Sequence, residues 1–248
     1  MTSGGDQDTG PVPAFADRQA AGASLAKALL RFRDDDLLIL GIPTGGVPVA
    51  AEVARRLGAE LDVVIARKLG APAQPELALG AVTAAGDVFI DPRIVANHEV
   101  SPEQLAAIIT HETEQAKAQE ERYRKGRPQP RIARRTVIVV DDGLATGATL
   151  RASLRAIRAQ TPARLVAAVP IGSADAQEDL RDEADEVVCL LTPDPFEAVS
   201  VHYADFSAVS SESLQKILSD YIAGWERAAA ECRCQGERGR DAERDPGA

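Results

Sequence analysis

The sequence predicts an α/β fold in which a Rossmann-like, largely parallel sheet is flanked by helices. Short apolar runs alternate along the chain with segments of helical periodicity, which is the order of elements typical of parallel sheets. The apolar runs do not alternate with polar residues, as expected for strands that helices cover on both faces. The chain contains no internal repeat that would indicate a solenoid or a propeller.

Each predicted strand is a short run of aliphatic residues bounded by polar or turn-forming residues. Such runs are too short for helices of ordinary length and too apolar for exposed loops. The predicted strands are residues 37–42, 61–66, Val88–Ile90, Thr136–Val140, 165–170 and 187–190.

Helices are predicted where apolar residues recur every three or four positions. Gly58 is typical of a residue that ends a helix, and Ser101 with Gln104 forms the pattern of a capping box that begins one. The last helix carries an apolar stripe whose default role is core packing. Helical patterns cover residues 18–32, about 47–57, 101–125, a segment after residue 147, and about 211–225.

The composition is that of a soluble globular protein, with 45% hydrophobic and 27% charged residues. The formal net charge of −10 argues against a nucleic-acid binder, which would need a basic face. The start of the sequence lacks the basic and apolar parts of a secretory signal, and no apolar run could span a membrane. We therefore expect a cytoplasmic protein with one domain over about residues 14–228, a disordered tail at 1–13 and a polar C-terminal tail at 229–248.

The most informative segment is residues 137–150, VIVVDDGLATGATL. Its β-branched residues predict a buried strand that delivers two adjacent acids to the carboxyl end, where ligands bind in open parallel sheets. The glycines that follow permit close backbone approach, and the loop amides with the next helix N-terminus suit a phosphate. The candidate ligand-binding residues are Asp141, Asp142, Gly143, Leu144, Ala145, Thr146, Gly147, Ala148 and Thr149.

Two carboxylates beside a phosphate pocket would repel the phosphate unless they face a hydrogen-bond donor instead. Ribose hydroxyls or a metal-bound water would be such a donor. Other acid-and-glycine patterns do not fit: Gly147 is followed by Ala148 instead of the Lys of a Walker A loop, and no G-x-G-x-x-G fingerprint is present. A D-x-D phosphotransfer pair would need an acid at position 143, which is glycine. A tight turn with incidental acids explains the order of strand, acids, glycines and threonines less well.

The segment closely resembles the motif with which type I phosphoribosyltransferases bind phosphoribosyl pyrophosphate (PRPP). That motif is four hydrophobic residues, two acids, a small residue, a hydrophobic residue and then (Ala/Ser)-Thr-Gly-x-Thr. The resemblance implies the type I phosphoribosyltransferase fold with a small hood. It also implies that Asp141 and Asp142 are catalytic residues that hold the ribose hydroxyls, and that residues 145–149 surround the 5′-phosphate.

Two further segments resemble parts of the same family. The turn after the first strand looks like the loop whose amides receive the leaving pyrophosphate, formed here by Pro43, Thr44, Gly45 and Gly46. Arg67 and Lys68 resemble a catalytic basic pair at the end of the next strand, and residues 69–76 resemble a mobile loop that closes over PRPP. Such a loop would exclude water and stabilise charge on the departing pyrophosphate. A solvent-exposed basic pair with a Pro-rich connector is the alternative.

The hood is predicted at about residues 191–210 together with the N-terminal helix. This stretch concentrates aromatic residues in a chain that has only 4% of them. Phe196 or Tyr203 could stack on an acceptor base, as hood residues of the family often do, although ordinary packing explains them equally well.

The resemblance implies a phosphoribosyltransferase of nucleotide metabolism. It would transfer the 5-phosphoribosyl group of PRPP to a nitrogen acceptor such as a nucleobase and release pyrophosphate. Mg²⁺ would arrive on PRPP, with no direct protein ligand, and a homodimer is common in the family. The alternative is a non-catalytic PRPP- or nucleotide-binding regulatory protein with the same fold. The pair Arg67 and Lys68 favours the enzyme.

Overall fold

A computed structural model of the chain describes residues 13–242. It confirms the predicted α/β architecture, with helices on both faces of a parallel sheet. The strands are β1 (Leu37–Gly41), β2 (Glu60–Val63), β3 (Ala66–Ala71), β4 (Gln74–Thr83), β5 (Val88–Ile90), β6 (Thr136–Val140), β7 (Arg164–Ile171) and β8 (Glu186–Leu191). The helices are α1 (Arg18–Ala28), α2 (Gly46–Leu57), α3 (Pro92–Asn97), α4 (Pro102–Arg124), α5 (Ala148–Arg158), α6 (Ala174–Glu178) and α7 (Ser211–Ala242).

The main sheet contains five parallel strands in the order β2-β1-β6-β7-β8. In chain order the strands run outward in one direction from β1 to β2, and in the other direction from β6 to β8. The strand order therefore reverses between β1 and β6, and such a switch point leaves a crevice at the carboxyl ends of the two strands. The loops after β1 and β6 meet there.

Apolar side chains pack on both faces of this sheet, as the uninterrupted apolar runs predict. Helices α1, α2 and α7 cover one face, where Leu25, Val53, Ile138 and Leu214 are fully buried. Helix α5 and the segment after α6 cover the other face, where Leu154, Val139 and Leu180 are buried. The two layers hold the switch point rigidly between them.

The helix boundaries follow the capping residues of the sequence. Gly58 ends α2 in the left-handed conformation, with φ of 65°. Ser101 and Gln104 form the predicted capping box at the start of α4 through reciprocal hydrogen bonds. The first helix is shorter than predicted, because α1 ends at Ala28 and a 3-10 turn follows over Leu30–Phe32.

The predicted connector at residues 69–76 is wrong in its secondary structure. Arg67 and Lys68 lie within β3, which pairs with β4 as an antiparallel hairpin, and the predicted strand Val88–Ile90 joins that hairpin instead of the parallel sheet. The prolines suggest a loop, but Leu69 and Leu79 bury one face of the hairpin against α3 and α4. Tertiary packing of that face outweighs the local turn signals.

The ends of the chain were predicted to be tails. Residues 1–12 of the predicted N-terminal tail lie outside the described residues. Helix α7 continues to Ala242, so the predicted C-terminal tail begins within that helix, and residues 243–248 lie outside the described part. Within residues 13–242, no helix combines the length and the apolar character needed to cross a membrane.

Candidate functional site

Two loops that the sequence predicts to bind a ligand meet where the strand order reverses. Residues 42–45 connect β1 to α2, and residues 141–147 connect β6 to α5. Strands β1 and β6 pair in register up to Gly41 and Val140, so both loops leave the sheet side by side. Two segments far apart in the sequence thereby form one crevice.

Glycines allow the first loop to pack directly on the acid pair. A β-carbon at position 45 would lie 1.9 Å from Asp142 Oδ2, and one at position 46 would lie 2.6 Å from the carbonyl oxygen of Val140. A larger side chain would displace the Asp142 carboxylate at position 45 and would meet the main chain of Val140 and Asp141 at position 46. Pro43 and Thr44, which precede the glycines, are half-buried at the mouth of the crevice.

The second loop is anchored at its centre and open at its tip. Leu144 is buried, its N–H donates to Ile171 O at 2.8 Å, and its carbonyl accepts from Ser173 N at 3.0 Å. Ala145 and Thr146 are exposed. Gly147 provides no side-chain cap for α5 and has φ of 70°, so the first amides of that helix remain available to an anion.

The two acids have different surroundings. Asp141 is half-buried, and its Oδ1 accepts a hydrogen bond from Asp142 N at 2.9 Å. Burial raises the pKa of the Asp141 carboxyl well above its ordinary value, and the negative charge of Asp142 raises it further. A buried carboxyl with a raised pKa is typical of a site that is arranged for a ligand and not for stability alone.

Arg18, at the start of α1, pairs with the second acid and was not predicted from the sequence. Its Nε donates to Asp142 Oδ2 at 2.8 Å. The two residues are separated by 124 positions, and no local pattern links them. Only the packing of α1 beside the switch point brings them together.

The predicted hood packs against the start of α1 and against the motif loop. Val199 would be 2.3 Å from a β-carbon at position 143, so Gly143 allows this contact. The Tyr203 ring is buried, and its hydroxyl donates to the carbonyl oxygen of Asp142 at 2.6 Å. Burial raises the pKa of that hydroxyl, so it stays a neutral donor. Phe196 is half-buried against the same cluster as Tyr203.

A cleft of about 780 Å³ opens beside the crevice. It is lined by residues from three separately predicted segments, which are Pro43 of the first loop, Arg67 and Lys68 of β3, and Thr149 of α5. Helix α4 forms the remaining wall with His111, Glu112 and Gln119, none of which was predicted to face a ligand. The capping box predicted this helix, but nothing local indicated which of its faces lines the cleft.

Arg67 is held at the wall of this cleft by helix α4. Its Nε donates to Glu112 Oε2 at 2.5 Å, and the two side chains are 37% and 19% exposed. Within residues 13–242, no group of three or more His, Cys, Asp or Glu side chains is placed to hold a metal ion. The cations and backbone amides at the cleft have the chemistry for phosphate oxygens, which a Mg²⁺ complex of a polyphosphate presents.

Comparisons with known proteins show the family and the fold to which the chain is similar. The family model for the phosphoribosyl transferase domain matches residues 15–205. A Mycobacterium tuberculosis protein, which its name assigns provisionally to the phosphoribosyl transferases, is 40% identical over 204 residues in strains CDC 1551 / Oshkosh and H37Rv. The aligned part is 82% of this chain and 46% of the relative, so the chain spans about half the length of these curated relatives. The crystal structure of TT1426 from Thermus thermophilus matches with a TM-score of 0.75 and 43% identity, over 84% of this chain and 98% of that one.

Proposed function

Because this chain belongs to the phosphoribosyl transferase domain family, we propose that it binds PRPP at the switch point and transfers the 5-phosphoribosyl group to a nitrogen acceptor. Pyrophosphate is the other product. The reaction breaks the bond from C1 to the pyrophosphate oxygen and forms a bond from C1 to the acceptor nitrogen. The electron pair of the broken bond leaves with pyrophosphate, and the acceptor nitrogen loses its proton to solvent or to a base.

The convergence of three segments on one cleft is the observation that supports this proposal most. Pro43, Arg67, Lys68 and Thr149 come from different elements and line the same space. The resemblance to the family assigns Pro43, Arg67 and Lys68 to the pyrophosphate of PRPP and Thr149 to its 5′-phosphate. The volume of about 780 Å³ lies in the range of small-molecule sites.

Different residues at the crevice bind different groups of PRPP. Asp141 and Asp142 accept hydrogen bonds from the ribose hydroxyls, and residues 145–149 donate to the 5′-phosphate through loop amides and threonine hydroxyls. The loop of residues 43–46 receives the pyrophosphate through the amides of Thr44 and Gly45, since Pro43 has no N–H and the Gly46 N–H donates to Ile42 O at 3.0 Å. These contacts fix C1 in place, and a reaction with a cation-like transition state gains most from such positioning.

Arg67 and Lys68 stabilise the negative charge that accumulates on pyrophosphate as it departs. Mg²⁺, when it is bound to the phosphate oxygens of PRPP, neutralises part of the same charge. Phe196 is the hood residue that we propose for contact with the acceptor. Tyr203 instead supports the main chain at Asp142 through its hydroxyl.

A second candidate function is regulatory binding of PRPP or a nucleotide without turnover. The ion pair between Arg67 and Glu112 favours this candidate, because the guanidinium is engaged by protein instead of being directed at a leaving group. A binding protein needs only the loops and the acids, whereas a transferase also needs Arg67 to reach pyrophosphate.

Calorimetric titration with PRPP, with and without Mg²⁺, tests the binding, and Asp141→Asn is the matched variant. We expect saturable binding that requires Mg²⁺ and that is weaker in the variant. A screen of amines and nucleobases for pyrophosphate release then separates the two candidates. Release with any acceptor establishes the transferase, whereas tight binding without release across the screen favours the regulator. Absence of PRPP binding under both conditions contradicts the proposal.

A further inference from the structure

Arg18 reaches from the first residue of α1 to the acid pair of the motif. Its Nε donates to Asp142 Oδ2 at 2.8 Å, and the side chains of Arg18 and Asp142 are only 11% and 17% exposed. A charged hydrogen bond shielded from water to this degree is stronger than an exposed pair. The contact therefore limits the orientations open to the Asp142 carboxylate.

The same guanidinium also holds the segment predicted as the hood. Arg18 Nη1 donates to Ser207 O at 2.9 Å, and Arg18 Cζ lies 3.9 Å from the centroid of the Phe206 ring. A cation above an aromatic face gains further attraction. A single side chain thus connects α1, the hood segment and the motif acid.

The hydrogen bonds of Arg18 leave its partner little freedom to turn away from the crevice. On the other side, Asp142 Oδ2 lies so close to the first loop that Gly45 leaves no room for a β-carbon. The main chain of Asp142 is fixed by the Tyr203 hydroxyl at 2.6 Å. Asp142 is therefore held by contacts from three different parts of the chain, two at its carboxylate and one at its main chain.

We propose that Arg18 is a positioning residue of the ribose site, which acts through Asp142. It orients that carboxylate toward the ribose hydroxyls of PRPP and offsets the negative charge of the acid pair. The proposal rests on the proposed function, since a ribose occupies the crevice only if PRPP or a product is the ligand. It also makes the hood segment part of the ribose site, because Phe206 and Ser207 hold the guanidinium.

The charged and titratable groups around the acid pair give this role a pH signature. Asp142 faces Arg18, Asp141 and Tyr203, and Arg18 in turn lies near Asp205. The pKa of Asp141 is raised well above its ordinary value, first by burial and then by Asp142, whereas Arg18 acts in the opposite direction. Hydrogen bonds from Ser207 lower the pKa of Asp205. Loss of the Arg18 charge therefore raises the pKa of Asp141 further.

Arg18→Gln and Arg18→Lys form a matched pair of test variants. Glutamine can still donate a hydrogen bond but carries no charge, whereas lysine keeps the charge and loses the planar fork of arginine. Arg181→Met is the control, because the Arg181 side chain is 71% exposed and pairs with Glu178 away from the crevice. PRPP affinity with Mg²⁺ is measured by calorimetry over a series of buffers from weakly acid to weakly alkaline pH, because a carboxyl with a raised pKa titrates above the ordinary carboxyl range.

We expect Arg18→Gln to bind PRPP about ten-fold more weakly at neutral pH. The ratio to the unmodified protein should grow toward acid pH and shrink toward alkaline pH. Arg18→Lys should keep the pH profile of the unmodified protein, with a smaller loss of affinity at every pH. The ionisation of PRPP cancels in these ratios, so the profile reports on the protein.

The proposal is overturned if both variants bind alike, or if the loss in Arg18→Gln is the same at every pH. It is also overturned if neither variant folds in a thermal unfolding assay, because Arg18 would then serve the fold and not the ribose site. Failure of the proposed function looks different. In that case the unmodified protein and Arg181→Met also show no PRPP binding at any pH.

Discussion

The carboxylate of Glu112 on α4 lies 2.5 Å from the guanidinium of Arg67 on β3. This pair joins the hairpin to the wall of the cleft and places a negative charge next to the proposed pyrophosphate site. Glu112 therefore competes with the ligand for Arg67. The guanidinium should bind a ligand with several phosphate charges more strongly than it binds the single carboxylate of Glu112.

Replacement of Glu112 should strengthen the binding of pyrophosphate. Glu112→Gln removes the competing charge, so we expect Mg²⁺-pyrophosphate to bind about two- to five-fold more tightly, in line with the small free energies of partly exposed ion pairs. Calorimetry at low ionic strength measures the change. Glu114→Gln is the control, because Glu114 is exposed on the same helix. Weaker binding in Glu112→Gln would show that Glu112 orients Arg67 and does not compete for it.

The ionised Asp141 carboxylate should lower the free energy of unfolding of the free protein, although it contributes to PRPP binding. Its raised pKa means that the folded state keeps a proton which the unfolded chain has released. Stability therefore falls as the pH rises from the ordinary carboxyl pKa toward the folded pKa. We expect Asp141→Asn to raise the melting temperature at neutral pH by about 2–4 °C, the shift for about 1 kcal/mol in a chain of this size.

The gain in Asp141→Asn should disappear below about pH 4, where the carboxyl is protonated in both states. Melting temperatures over a pH series check this, and PRPP titration of the same samples should show weaker binding. A variant that melts below the unmodified protein at neutral pH would mean that the ionised carboxylate contributes net stability.

Gly45 should be required for the ligand loops and not for the fold as a whole. A β-carbon there meets Asp142 Oδ2 at 1.9 Å, so Gly45→Ala must displace the Asp142 carboxylate and disturb its contact with Arg18. We expect PRPP affinity to fall at least ten-fold, while circular dichroism stays that of a folded protein. Gly224→Ala is the matched change, because its β-carbon meets nothing within 4 Å. That variant should gain about 0.5–1 kcal/mol of helix stability and bind PRPP normally.

Tyr203→Phe separates two roles of the hood, which are support of the Asp142 main chain by a hydroxyl and stacking of a ring on the acceptor. The buried hydroxyl donates to Asp142 O, so its removal should lower the free energy of unfolding by about 1 kcal/mol and weaken PRPP binding. The aromatic ring remains, so a stacking contact with the acceptor would survive. Steady-state kinetics should therefore show a higher KM for PRPP and an unchanged KM for the acceptor. An altered KM for the acceptor alone would assign Tyr203 to the acceptor instead.

The two loops of the crevice could be located from the sequence because each is a continuous segment. The order of strand, acids and glycines in residues 137–150 identifies one loop, and the turn at 43–46 resembles the other. The parallel sheet followed from uninterrupted aliphatic runs, which leave few alternatives to strands buried on both faces. Local patterns carried this information, so no knowledge of distant contacts was needed.

Arg18 and Glu112 could not be predicted in the same way. Each is one of many charged residues on a helix surface, and its role depends on a partner in another element, Asp142 or Arg67. The hairpin of β3 and β4 was missed for a related reason. Prolines near its turn outweigh its alternating pattern when only neighbouring residues are considered, whereas α4 packs on the buried face and decides the structure.

The pairing of β1 with β6 has a kinetic consequence. Its register joins Leu38 to Val137, and such distant pairings form late because the intervening chain must first be closed into a loop. An incompletely folded chain therefore has no crevice, and the proposed ligand PRPP should bind only molecules whose sheet is complete. By mass action the ligand should then stabilise the native state as its concentration rises above Kd. A chain that unfolds in the presence of PRPP must first release it.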